Sequence, residues 1–494
     1  MEMFDVIVVG AGWYGLMAAR TFLELAPETN LLILDDGKTV GGVWSKERIY
    51  PSLFAQISHP LFEYSFYPMP EEDVSPDGPV IHSLELGKYQ GYINDSAQRT
   101  VVVGRSKSSY DAVYHLLCAG KKVDWVMRDG ESGPFSIYAP TFMGLWNIAD
   151  HISTRFASSF SPCIMSTSGM CYNFFQRNAL GRLLTNVYWR TANYISVSHA
   201  DYWRTPNAEK LRPRPYSDGV FWGSGGIGIA TAPDFWETFH NGDVTIHSTE
   251  IDTLSHKDVV NLKSGYSIAS DIVIHCTGFD KGYDAFEPSL RRELGLEYDS
   301  EEFSRWTMLD EKAERTVDEL LPYLRDAPSQ YGDSKASKRT GYGPNRHYRR
   351  LVVPELASRG DRSILFPGHI HSAFTPLAAE LQALWGVTWM LGWRDLPPRE
   401  EMEAEAANFN AWTRKKYLEQ GKKHSYFIYD YIPYIDTLMK DLGLNPFRKS
   451  NVFEEWFVRY KPSDYKTILD EYMSLRRHQH EIEGTTKAEN GKAT

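Results

Sequence analysis

Gly10-Ala11-Gly12-Trp13-Tyr14-Gly15 spaces three glycines so that a backbone can turn sharply, approach an anion and pack a helix closely on a strand. The preceding Phe4–Val9 is β-branched and nearly continuous, which predicts a parallel strand buried on both faces. A helix-like run spans Leu16 to Leu25. A second apolar run, Leu31–Leu34, ends at Asp35, about twenty residues beyond the glycines. A helix N-terminus stabilises a pyrophosphate, and a carboxylate at Asp35 accepts ribose hydroxyls while repelling a 2′-phosphate. The site therefore suits FAD or NAD better than NADP. Gly41-Gly42-Val43-Trp44 follows, with two glycines allowing close backbone approach beside a large ring.

The second loop, Gly104-Arg105-Ser106-Lys107-Ser108-Ser109, follows the strand candidate Arg99–Val103 and precedes a helix from Tyr110 to Leu117. Ser106 and Ser109 stand where glycines would complete the pattern; serine is small and its hydroxyl can bind phosphate. Lys107 adds positive charge. The next strand, Lys122–Met127, ends at Arg128, where the first unit has Asp35. An arginine there can pair with the 2′-phosphate of NADPH; the alternative is a surface arginine on an ordinary strand-helix-strand unit. Asp271–Asp280 reads as a buried strand ending in a small-residue turn at Thr277-Gly278. Farther on, Ile364–His369 leads into a long apolar helix, with Thr375, Glu380 and Gln382 as the polar groups of interest. No carboxylate or cysteine spacing makes a metal site of His369 and His371, which instead read as pocket-lining. The basic run Lys338, Arg339, Arg346, Arg349, Arg350 reads as a solvated face, with contact to cofactor phosphates as the sharper alternative. No residue is singled out as catalytic.

These loops need large elements to position them, and 494 residues suffice for two or three domains. A net charge of −11 argues against a broad nucleic-acid surface. The four cysteines, Cys118, Cys163, Cys171 and Cys276, form no CxxC pair and read as free buried thiols of a reducing compartment. No apolar run reaches the roughly 20 residues of a membrane span, so the expected location is cytoplasmic, without a membrane span. The segment between Pro134 and Pro215, with Trp146, Phe174, Phe175, Trp189 and Trp203, reads as an aromatic-rich helical insertion that caps an apolar pocket or packs a larger core. The polar tail after Arg476 reads as disordered.

GAGWYG, GGVW, VIHS, GRSKSS and CTGFD occur in the order used by class B flavin-dependent monooxygenases, and the chain resembles that family from Met1 to about Lys466, most closely its fungal members from secondary-metabolite pathways. His82 resembles the histidine of the family's FxGxxxH fingerprint, with Gly78 at the glycine and Pro76 in place of the phenylalanine, and is expected to order the domain junction. The resemblance implies an α/β fold of two Rossmann-like domains, one for FAD and one for NADPH. Residues 1–80 begin the FAD domain, 95–268 form the NADPH domain with its insertion at 134–215, 269–475 return to the FAD domain and substrate region, and 476–494 are the tail. Implied cofactor contacts are Gly10, Gly12, Gly15, Asp35, Gly42, Val43 and Trp44 for FAD; Gly104, Ser106, Lys107, Ser108 and Arg128 for NADPH; and Thr277 and Gly278 where the chain returns to the flavin. The implied reaction takes hydride from NADPH and inserts one oxygen atom of O2 into a small lipophilic molecule. A flavin disulfide reductase shares the plan but needs a cysteine pair. In one respect the chain departs from the family: between Trp44 and Val101 there is little room for the strands expected there, which implies an internal deletion in the FAD domain and allows a third reading, an inactive remnant.

Overall fold

Val6–Val9 and Leu31–Leu34 pair in parallel, Val6 opposite Leu31 through Val9 opposite Leu34, with the helix Trp13–Leu25 as their crossover. The computed structural model describes residues 3–45, 48–49, 80–128, 132–229, 232–255, 259–278, 283–297, 300–328, 346–372 and 374–490. Among these the first sheet has two strands. One face packs on Trp13–Leu25 and, beyond it, on the long helix Thr375–Met390, where Met17 meets Ala379 and Ala383. The other face is open: Ile7 is 55% and Val9 81% exposed. The expectation of a strand buried on both faces is therefore corrected. Burial on two sides needs a layer on each, and here the helices supply one.

The second sheet is complete. Its order is Val244–Ser248, Lys122–Met127, Arg99–Val103, Ile272–His275, Val80–His82, every pairing parallel. Lys107–Cys118 crosses over from the third strand of that order to the second, and a three-stranded antiparallel meander from Ile251 to Ala269 packs Val260, Leu262 and Ile268 against Val101, Val126 and Val273. Both faces are covered, and Val101, Val102, Val123 and Trp125 are wholly buried.

The aromatic segment is mostly helical, the longest helix being Ala179–Ala200. Its Trp189 joins the largest core, shared with Thr375–Met390 and with Trp412, Tyr417 and Tyr429 near the C-terminus. The tail from Arg476 is a continuation of the helix Ile468–Asn490 rather than disordered as far as residue 490. Tyr472 and Ile468 dock its first turns, so nucleation is met by packing and the polar remainder needs only to propagate. Cys118 is exposed and Cys171 half-buried, so only Cys163 and Cys276 are the expected buried thiols; all four are free.

Candidate functional site

Gly10 has φ +102°, and a Cβ on Gly15 would lie 1.8 Å from the Gly10 carbonyl oxygen, so the first loop closes only with glycine at both places. The Gly41–Trp44 turn docks on it: Gly41 N–H donates to Ala11 O at 2.8 Å, and a Cβ on Gly42 would sit 3.0 Å from Gly12 Cα. Asp35 accepts from Ala11 N–H (2.5 Å) and Gly37 N–H (2.7 Å), and these two donors hold its carboxyl below the usual range. Gly10, Gly12, Gly15, Asp35, Gly42 and Trp44 thus come together in one glycine-walled cradle at a helix N-terminus. Val43 belongs to the same turn but points outward, half exposed. Space above Gly10 is open, with no atom within 4 Å of a built Cβ, so the cradle fits a dinucleotide pyrophosphate.

The second loop is built differently from its sequence pattern. Gly104, φ +144°, abuts the Cys276 carbonyl, which a Cβ would approach to 2.3 Å. Ser109 turns its hydroxyl back to Ser106 O at 2.6 Å, and Lys107 Nζ pairs with Asp111 of its own helix at 2.5 Å. Neither is aimed outward. Ser106 and Ser108 remain at the mouth of the loop, and Thr277 and Gly278 are exposed at the end of the adjoining strand. The positive charge comes from a set that sequence spacing only half revealed. Arg105 donates to the Arg128 carbonyl at 3.4 Å, and Lys423, burial first and then the charges of Arg105 and Arg128, has its ammonium pKa pulled down. Arg105 and Lys423 were not among the expected contacts. Lys423 lies nearly 300 residues along the chain from Arg128, beyond the reach of any local motif.

The turn Pro367–His371 joins the two loops. Gly368 packs on the Tyr14 ring, which a Cβ would meet at 2.9 Å; His371 lies ring to ring with His424, 5.6 Å apart, next to Lys423. Gln382 fixes this turn, accepting from Gly368 N–H at 2.9 Å and donating to Tyr434 Oη at 2.6 Å. Thr375, the first residue of its helix, donates its hydroxyl back to Ser372 O at 3.3 Å. Glu380 faces away, lining a cleft with Met17, Thr21 and Leu384. His82 Nε2 bonds to Gly278 O at 3.0 Å, tying the sheet edge to the return turn; Pro76 and Gly78 lie outside the described residues, as do Lys338 and Arg339. Arg349 and Arg350 correct the solvated-face and phosphate readings together. Arg350 is fully buried on Asn410 and Glu405, and Arg349 grips Asp441 through two nitrogens, at 2.7 and 3.1 Å. Two desolvated guanidinium groups persist because carboxylates meet them.

Beside the turn, His369 stacks with Phe366 and His347 at centroid distances of 4.9 and 5.3 Å. Burial pushes His347 down to about 4. It borders a cavity of about 680 Å³ whose walls include Trp306, Met308 and Val353 with Arg305, Arg346 and Glu403. None of its described lining residues comes from the aromatic segment 134–215, so that segment does not cap this cavity.

No family model matches the chain. A protein of Fusarium langsethiae named FAD-dependent monooxygenase DEP4 is 74% identical over 562 residues, covering 98% of this chain and 97% of that one. Its namesake in Alternaria brassicicola is 71% identical over 557 residues, covering 97% and 96%. FAD-dependent monooxygenase resA of Aspergillus sclerotiorum is 30% identical over 571 residues, covering 96% and 98%. Among solved structures, the open form of cyclohexanone monooxygenase superposes with a TM-score of 0.51 at 13% identity, covering 89% of this chain and 98% of that one. The NADP+-bound enzyme from Rhodococcus gives 0.50 at 14% identity, covering 89% and 97%. These two likenesses are of fold.

Proposed function

The chain belongs to the FAD-dependent monooxygenases, and on that premise we propose that it uses NADPH as reductant and oxygenates a small amphipathic molecule with a lipophilic body. The observation that carries the NADPH reading is the convergence of Arg105, Arg128 and Lys423 at the second loop. Beyond burial, Arg105 and Arg128 both pull down the Lys423 ammonium pKa, with the Glu419 carboxylate opposing them, and a 2′-phosphate would bring further negative charge to the set.

Bound FAD supplies the redox chemistry and the activation of O2. The protein's own part is placement. The Gly10–Gly15 loop and the helix behind it hold the pyrophosphate, Asp35 takes the ribose, and Gly42 and Trp44 flank the flavin. Gly104, Ser106 and Ser108 receive the second pyrophosphate, with Lys107 contributing a charge already shared with Asp111. Thr277 and Gly278 line the return. Gln382 keeps the Gly368 turn against Tyr14, and the His369–Phe366–His347 stack lies between that turn and the 680 Å³ cavity. The mixed walls of that cavity suit a substrate with a polar end. The test is oxygen-dependent NADPH consumption by the purified protein, with products of fed lipophilic and hydrophilic candidates read by mass spectrometry. Turnover of hydrophilic amines alone overturns the substrate class.

A second reading, a chain whose FAD domain is cut short and holds flavin weakly, is favoured by one pair of observations. The match to the Fusarium protein runs over 562 residues, 68 more than the 494 here, although both chains are covered nearly end to end. Ile7 and Val9, apolar residues of the first sheet, lie open. The absorbance spectrum near 450 nm separates the readings: a colourless protein that takes up no FAD on reconstitution supports the second.

A further inference from the structure

The helix Ala179–Ala200 is inside out. Its buried positions are Gly181, Thr185, Trp189, Ala192, Asn193 and Ser196 among others, mostly small or polar. Its solvent stripe, at i, i+3, i+4 and i+7, is Leu180, Leu183, Leu184 and Val187, continuing through Arg190 to Tyr194. Leu183 is 59% and Tyr194 72% exposed. An ordinary surface helix buries its leucines, since an apolar side chain left in water forgoes the gain of burial.

The stripe does not stand alone. Met170 and Phe174 are exposed on the short helical turns before it, and Leu145 and Trp146 on the preceding hairpin. Ring contacts tie these elements together under the helix: Trp146 to His151, His151 to Tyr188, Tyr188 to Phe160, Phe160 to Phe175. One apolar surface results, rimmed by Trp146 and Tyr194. Its charge is one-sided. From His151 to Ala200 there is no Asp or Glu, while Arg177, Arg182 and Arg190 flank the leucines, in a chain whose net charge is −11.

We propose that this face seats the protein on an anionic lipid surface. Outward leucines between arginines, with Trp and Tyr at the rim, match the requirements of a helix lying in the headgroup plane. Charge complementarity selects the lipid over a second copy. A two-fold pairing would set these arginines against their own equivalents, with no acid between His151 and Ala200 to receive them. No helix among the described residues is long and apolar enough to cross a membrane, so the attachment is peripheral. A lipophilic substrate would then be met where it partitions, but the surface stands independently of the assignment of NADPH or of flavin content.

Full-length protein is sedimented with phosphatidylcholine vesicles with and without about 30 mol% phosphatidylserine, at low salt and at about 0.5 M salt, where screening is roughly twice as tight as in the cell. The expected result is binding that depends on phosphatidylserine, weakens in salt, and falls at least about tenfold in the L183E/L184E double variant and severalfold in R182E/R190E. Both pairs are at the surface, so circular dichroism and melting stay as in the parent. Failure to pellet with either vesicle, or unchanged binding by the double variant, overturns the proposal. So does light scattering that shows a dimer which the double variant breaks, since the face is then a protein interface.

Discussion

At the residue scale, the two loops differ in what they ask of a side chain. Gly104 leaves no room for a Cβ against the Cys276 carbonyl and holds a left-handed φ. Gly104→Ala is expected to cost about 2–4 kcal/mol, read as a lowered denaturation midpoint, because strain and clash act together. In the proposed NADPH site the cations beyond it meet the ligand's phosphate. Arg128→Ala and Lys423→Ala are each expected to raise KM for NADPH by roughly tenfold while leaving KM for NADH nearly unchanged, since a lost charge-assisted contact is worth about 1.5–3 kcal/mol. Equal loss with both nucleotides would place these residues elsewhere than at the 2′-phosphate. His347 sets an acid limit. It is fully buried, its pKa lies at about 4, and the unfolded chain's histidine titrates near 6.5. Below about 6.5 the unfolded state binds the proton that the folded state refuses, so His347 destabilises the fold progressively as pH falls from about 6.5 to about 4, by up to roughly 1.4 kcal/mol per pH unit. Melting temperatures of the parent and His347→Gln, measured across that window, should converge as pH falls; parallel curves would assign the acid limit to other groups.

At the scale of elements, a buried amide helps to hold the Pro367–His371 turn, whose last residue also exchanges backbone hydrogen bonds with Ser425 and Phe427. Gln382 is wholly buried and serves both Gly368 N–H and Tyr434 Oη. Gln382→Leu keeps the volume but leaves Gly368 N–H without its acceptor, while Tyr434 Oη keeps its bond to the Arg349 carbonyl; the expected loss is about 1–3 kcal/mol by chemical denaturation, and a silent substitution would mean that water replaces the amide. How far sequence carried the fold is visible in the same elements. The glycine loops, their strands and the Asp35 and Arg128 positions were legible because turn, strand and helix signals coincide within about thirty residues. The five-stranded sheet was legible only in part: it also takes in Val80–His82 and Ile272–His275, which the sequence had placed outside residues 95–268. Lys423 and the His347–His369 stack were not legible: they meet their partners through tertiary packing, without local periodicity. Arg349 and Arg350 misled for the same reason, since a basic run reads as solvated until Asp441, Glu405 and Asn410 arrive from distant helices. The helix Ala179–Ala200 was read as aromatic packing, and only burial shows which stripe faces water.

At the scale of the molecule, the two sheets are unequal partners. Among the described residues the sheet that carries the Gly104 loop has five parallel strands and a cover on each face, whereas the sheet that carries the Gly10 loop has two. Ile7, Val9 and Leu34 stay open on it, although apolar side chains of this kind gain roughly 1.5–3 kcal/mol each on full burial. A cofactor held by backbone approach is weakened by any displacement of the loop that holds it. The excess length of the 74%-identical match says that the Fusarium relative carries residues with no counterpart here. If those residues cover this sheet, a chimera in which the relative's extra segment is inserted between Trp44 and Val101 should retain FAD through gel filtration at least about tenfold better than the parent and melt several degrees higher, because linkage to a tightly held ligand stabilises the folded state. If the parent already elutes with one FAD per chain, the open face is tolerated and the chain as it stands is a competent oxygenase. Should neither parent nor chimera hold flavin, the fault lies in the Gly10–Gly15 cradle itself, and the length of the FAD domain is not what limits it.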